Sequence, residues 1–134
     1  MLLPQQPILV VEDEPDGQEL VTRMLAHTTH KVEIAGDAEL AWPMLMSNRY
    51  AAVVVDLALP GIDGFQLLRA MRKEPALAHV PCVAITAFHS PELKRQALQE
   101  GFDAYFQKPL DRNRFVEALE MVLTKAIGNS SVPQ

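Results

Sequence analysis

The chain has 134 residues, 49% of them hydrophobic and 22% charged, with a net charge of -5. That length suits one domain of about 100 to 200 residues, and the composition is far from that of disordered chains. The acidic balance offers no basic footprint for nucleic acid, no run approaches the roughly 18 apolar residues of a membrane span, and the opening MLLPQQPILVVEDE lacks the basic start and cleavage site of a signal peptide, so a soluble cytoplasmic protein with no direct nucleic-acid or membrane contact is expected.

Residues 1–6 read as an N-terminal extension. The first short β-branched run, PILVVE (7–12), predicts a strand that ends on Glu12 and Asp13. A helix follows, entered through Pro15, a residue tolerated in a first turn, with Leu20, Val21, Met24 and Leu25 as its apolar stripe. The run KVEIA (31–35) predicts the second strand. In the second helix, roughly 37–47, Pro43 removes a backbone donor at a cost of about 3 kcal/mol, so a kink or an early break is expected there. AAVVVD (51–56) is the third strand, and it places a charge, Asp56, directly after three valines and before the turn LALPGIDG.

The third helix begins near Gly64, repeats Phe65, Leu68 and Met71, and stops near Pro75; Asp63 reads as its turn or cap residue. The fourth strand, PCVAIT (81–86), holds the sole cysteine, Cys82, which excludes a disulfide within the chain and reads as core rather than as a reactive thiol. The fourth helix is clearly punctuated: Ser90 caps, Pro91 takes the first position, Leu93, Ala97 and Leu98 form the stripe, and Gly101 closes it. DAYFQK (103–108) is the fifth strand, followed by Pro109. The fifth helix starts after Asp111 with Phe115, Leu119, Val122 and Leu123 facing inward, and GNSSVPQ (128–134) reads as a flexible tail.

Several of these strands are apolar without alternation, which indicates cover on both faces and a parallel sheet between helices. Alternating five strands with five helices makes an α/β doubly wound sheet, in which ligands gather beyond the carboxyl ends of the strands. Those ends bring Glu12, Asp13, Asp56, Thr86 and Lys108 into consideration together. Three carboxylates within about 4 Å repel one another by several kcal/mol and need a proton or a cation. With only oxygen donors, Mg2+ is the expected ion, and it leaves room for a phosphate oxygen. Asp56 is then the candidate nucleophile toward phosphorus, Lys108 a clamp on the phosphoryl oxygens, and Thr86 a hydroxyl donor to them.

Four segments, ILVVEDEP, VVVDLALPGIDG, VAITA and AYFQKP, occur in that order at the ends of strands 1, 3, 4 and 5. Together they resemble the response-regulator receiver domain of two-component signalling, over about Pro7 to Lys125, with the domain taken as 7–127. The resemblance implies a flavodoxin-like five-stranded parallel sheet in the order 2-1-3-4-5 with five helices. It implies Asp56 as phosphoacceptor, Asp13 as direct Mg2+ ligand, Glu12 acting through metal-bound water, and the backbone carbonyl of Ala58 as a further ligand. Lys108 and Thr86 would contact the phosphoryl group, the Lys108–Pro109 peptide would be cis, and Thr86 with Tyr105 would form the switch. The implied partners are a sensor histidine kinase or histidine phosphotransfer protein and a downstream protein target. Helix 4, strand 5 and helix 5 would form the readout surface, where a homodimer is also conceivable. The only reactions catalysed would be the protein's own phosphorylation and dephosphorylation. Ala58 cannot orient an attacking water and Phe88 can shield the phosphoryl group, so slow autodephosphorylation is expected.

Each residue alone has a plainer reading. Glu12 and Asp13 can merely favour the positive end of helix 1, Thr86 can be a β-former, Lys108 solvated and Tyr105 a packing residue. The joint pattern outweighs these readings. His27, His30, His79 and His89 are scattered without ligand spacing, and Met44 and Met46 near Trp42 suggest core or partner contact. Most basic residues read as solvated, with Arg112 and Arg114 open to partner contact. The competing function is a phosphorylation-independent interaction scaffold of the same fold. A Mg2+-dependent phosphohydrolase needs a second acid where Ala58 stands, and a flavin module needs a glycine loop after strand 1. Only a short tail follows helix 5, so no output domain is expected and the signal would pass by protein contact.

Overall fold

The structure, a computed structural model, describes residues 6–131. In chain order the elements are β1 (Ile8–Val11), α1 (Pro15–Leu25), β2 (Val32–Ala35), α2 (Ala38–Ser47), β3 (Ala52–Asp56), α3 (Gly64–Lys73), β4 (Cys82–Thr86), α4 (Pro91–Glu100), β5 (Ala104–Gln107) and α5 (Arg112–Ser131). The strands form one parallel sheet in the order β2-β1-β3-β4-β5.

The unalternating strands are explained by what covers them. Leu9, Val11, Val53, Val55, Cys82 and Ala84 point to one face and pack with α2, α3 and Ala97 of α4. Ile8, Val10, Ala52, Val54, Val83 and Ile85 point to the other and pack with α1 and α5 through Val21, Leu25, Phe115 and Leu119. Both faces of β1, β3 and β4 are therefore buried, as the period-2 geometry of a strand requires of an all-apolar run. No helix among the described residues is long and apolar enough to cross a membrane.

Local chemistry sets the helix ends. The Asp37 and Ser90 side chains accept from the backbone N–H groups of Leu40 and Leu93, and Asp63 forms a reciprocal capping box with Gln66. Gly101 ends α4 at φ 118°, a left-handed conformation that favours glycine.

Three expectations require correction. First, of the kink or early break expected at Pro43, the break is absent: α2 runs on to Ser47. The missing donor concerns the carbonyl of Glu39; both residues are exposed, so water can serve it, while the Asp37 cap and the burial of Ala38, Ala41 and Leu45 hold both halves of the helix. Second, Leu20 and Leu98 are 38% and 45% exposed. Each lies about 100° around its helix from the buried stripe, at the rim rather than in the core. Third, α5 continues through Gly128 to Ser131, into the segment read as a tail. One glycine costs about 1 kcal/mol in a helix without stopping it, and the next proline is Pro133. Residues 1–5 of the expected extension and 132–134 of the expected tail lie outside the described residues.

Candidate functional site

The strand order reverses between β1 and β3, and the carboxyl ends of the two strands are level there, with Val11 opposite Val55. Glu12 follows β1, anchored by its N–H to the Ala35 carbonyl at 3.1 Å and by its own carbonyl, which accepts from Gln18 Nε2 at 2.7 Å. Its side chain is fully buried. Asp56, the last residue of β3, is 5% exposed. Its Oδ1 accepts from the Ala58 N–H at 2.8 Å, a bond that curls the turn back toward the carboxylate.

Lys108 joins these two acids. Its Nζ donates to Asp56 Oδ2 at 2.7 Å and to Glu12 Oε1 and Oε2 at 2.9 and 3.1 Å. Its backbone N–H donates to the Thr86 carbonyl at 2.8 Å, tying the loop after β5 to the end of β4, and the following Lys108–Pro109 peptide is cis. Asp13 is exposed, and carboxylate oxygens of Glu12, Asp13 and Asp56 lie within 4.8 Å of one another.

The charges follow from this geometry. Burial, and then the neighbouring Asp56, push the Glu12 carboxyl up to about 7 against the pull of Lys108. Burial also opposes ionisation of Asp56, but hydrogen bonds with Glu12, Lys108 and the Ala58 N–H outweigh it and hold its carboxyl below the usual range. Lys108 is raised although burial works against it, because both acids bond to its ammonium. Near neutral pH the site thus holds an ionised Asp56, a charged Lys108 and a Glu12 that gives up its proton readily to an arriving cation. The donor set is all oxygen and compact, which fits a hard divalent ion such as Mg2+.

Thr86 is 1% exposed at the end of β4, and its Oγ1 accepts from the Phe88 N–H at 3.0 Å. Phe88 is 71% exposed, and Ala58 is exposed as well. Tyr105 is half-buried on β5, with its hydroxyl 3.0 Å from His89 Nδ1. Asp63 serves as the α3 cap, and Arg112 and Arg114 are exposed. Cys82 is buried, and burial drives its thiol up to about 12, far from a nucleophile's range.

Two glycines build the site although no motif assigned them a role. A Cβ on Gly17 would stand 2.2 Å from Glu12 Oε1, so the first turn of α1 closes over the buried acid only because residue 17 has no side chain. A Cβ on Gly64 would lie 2.9 Å from the Asp56 carbonyl oxygen and the Leu57 Cα, so α3 presses directly on the backbone that carries the acid. The available signals were Gly17 inside the first helical pattern, a costly choice without a packing reason, and Gly64 as the last residue of VVVDLALPGIDG. The His89–Tyr105 bond left no such signal.

Residues 8–120 match the family described as the response regulator receiver domain. The chain is similar to the chemotaxis protein CheY of Pseudomonas aeruginosa, 31% identical over 90% of this chain and 98% of that protein. It is 35% identical to the gliding motility regulatory protein of Myxococcus xanthus over 75% of this chain but only 13% of that much longer protein. Among solved structures it resembles the receiver domain of a sensor histidine kinase from Pseudomonas aeruginosa PAO1 at 30% identity and a TM-score of 0.81, covering 90% of this chain and 99% of that one. That structure has a magnesium ion coordinated in its active site cleft.

Proposed function

The chain belongs to the response regulator receiver family, and from that premise we propose that Asp56 accepts a phosphoryl group from the phosphohistidine of a sensor histidine kinase or a histidine phosphotransfer protein, in a Mg2+-dependent reaction. The observation that carries this reading is the buried triad in which Lys108 Nζ touches both Asp56 and Glu12 while Asp56 stays ionised.

In the proposed step an Asp56 oxygen forms a bond to phosphorus as the phosphorus–nitrogen bond to the donor imidazole breaks, and the imidazole leaves carrying a proton. The Glu12, Asp13 and Asp56 carboxylates, with the Ala58 carbonyl, would hold Mg2+, and when bound it would supply positive charge to the oxygens of the transferring group. The Lys108 ammonium faces the same oxygens. The Thr86 hydroxyl turns from its bond with the Phe88 N–H to donate to a phosphoryl oxygen, and Tyr105 follows by turning inward. A phosphoryl group adds about 1.5 to 2 negative charges, enough to drive such rearrangements. The altered face of α4, β5 and α5 then meets a downstream protein. This is a signalling domain, not a metabolic enzyme; the only reactions assigned to it are its own phosphorylation and dephosphorylation, in the cytoplasm.

On this reading Ala58 and Phe88 set a slow decay: no side chain at 58 can align water, and the exposed Phe88, two residues past Thr86, can shield the phosphoryl group. Intact mass after incubation with acetyl phosphate tests the main reading. A single phosphoryl adduct that requires Mg2+ and is lost in Asp56→Asn supports it. No adduct, with no spectral response to beryllofluoride and Mg2+, would overturn it in favour of a phosphorylation-independent scaffold.

A further inference from the structure

A surface helix normally shows one apolar stripe, and a helix apolar all round is normally buried. α2, AELAWPMLMS, departs from this: Glu39 is its only charged residue, yet Ala38, Ala41 and Leu45 suffice to bury its inner side. Half a turn away, the outer side is centred on Pro43 and flanked by Leu40 and Met46, which are 58% and 48% exposed. Toward α3 the same patch continues into a groove of about 290 Å³ lined by Trp42, Pro43, Ile62 and Leu67 together with the polar Glu39 and Gln66. Among the described residues, the other large exposed apolar ones, Leu20, Phe88, Leu98 and Met121, stand on different segments. Scattered residues of that kind are ordinary, whereas a contiguous patch marks an interaction site.

The ends of the helix indicate the occupant. Asp37 and Glu39 lie at its start, and the exposed Arg49 lies just beyond its end. Laid antiparallel on a copy of itself about a two-fold axis at Pro43, the helix sets Leu40 level with Met46 of the second copy and Asp37 level with the second copy's Arg49. A two-fold contact requires this self-complementarity, in which residue i meets j and j meets i. A parallel arrangement would stack Glu39 on Glu39. Antiparallel packing also opposes the two helix dipoles favourably.

We infer that a second copy of this chain docks on α2, forming an antiparallel α2–α2 dimer centred on Pro43, rather than on the α4–β5–α5 face. One ten-residue helix per partner is a small contact, so the association is reversible and weak.

Sedimentation equilibrium on the unphosphorylated full chain, with two cysteine variants, tests this. The expected result is a concentration-dependent dimer that Leu40→Lys weakens at least about tenfold and that Arg49→Glu also weakens. Because Cys82 is fully buried, each cysteine variant presents a single accessible thiol. Under mild oxidation Pro43→Cys should cross-link rapidly, and Met121→Cys, on α5, at the slow collisional rate. A monomer at all concentrations up to about 1 mM, a dimer untouched by Leu40→Lys, or Met121→Cys cross-linking as fast as Pro43→Cys would each overturn the inference.

Discussion

Replacing Gly17 by alanine inverts the usual rule for glycine in a helix. At an ordinary helical position alanine gains about 1 kcal/mol over glycine. Here the new Cβ would lie 2.2, 2.7 and 3.0 Å from Oε1, Cδ and Cγ of Glu12, all well inside van der Waals contact. A flexible side chain would swing away, but Glu12 is fully buried and both its oxygens accept from Lys108. Relief therefore means either displacing the first turn of α1 or breaking the Glu12–Lys108 contact. Overpacking of this kind costs about 1 to 3 kcal/mol, and losing a buried charged hydrogen bond adds about 1.5 kcal/mol or more. Against the propensity gain, the net loss is about 1.5 to 3.5 kcal/mol. Urea unfolding should show the midpoint falling by roughly 0.5 to 2 M at an ordinary slope, and Mg2+ titration by calorimetry should show weaker binding. A variant as stable as the parent, with unchanged Mg2+ affinity, would refute the claim that residue 17 must lack a side chain for the acid to be seated.

Removing the cation from the triad, as in Lys108→Met, leaves two buried acids without their partner and should cost about 3 kcal/mol or more, partly recovered on adding Mg2+; stability unchanged with and without Mg2+ would argue against the described contacts. Glu12 titrates near 7 in the fold against an ordinary 4.5, so between those values the native state holds a proton that the unfolded chain has lost. This group's contribution to stability therefore falls as pH rises through that window, being most favourable below about 4.5. Because a cation displaces the same proton, Mg2+ affinity should climb from pH 5 to above 7 with proton release, detectable by calorimetry in buffers of different ionisation enthalpy and abolished in Glu12→Gln. A flat profile would count against the assignment. For the phosphorylated protein, Ala58→Asn together with Phe88→Lys should speed loss of the phosphoryl group by at least about tenfold, worth 1.4 kcal/mol in the barrier, and an unchanged decay would remove both residues from lifetime control.

What could be read without coordinates was local in origin. Unbroken apolar runs such as VVVD and CVAIT require cover on both faces, Ser90, Pro91 and Gly101 mark one helix at both ends, and acids at the strand ends indicate a cation site, because each signal depends on neighbours a few residues apart. The family resemblance extended these into roles for Asp56, Thr86 and Lys108. What only the tertiary structure decided was long in range. Lys108 reaches Glu12 across 96 residues and Asp56 across 52, Gly17 proves to be space for a buried carboxylate, and His89, in the loop after β4, meets Tyr105 on β5. The course of α2 through Pro43 was settled by burial of the helix's inner side, which local propensity does not weigh. Periodicity records which side chains must leave water, but which atoms they meet depends on how separate elements come together, and that is decided by packing across the whole sheet.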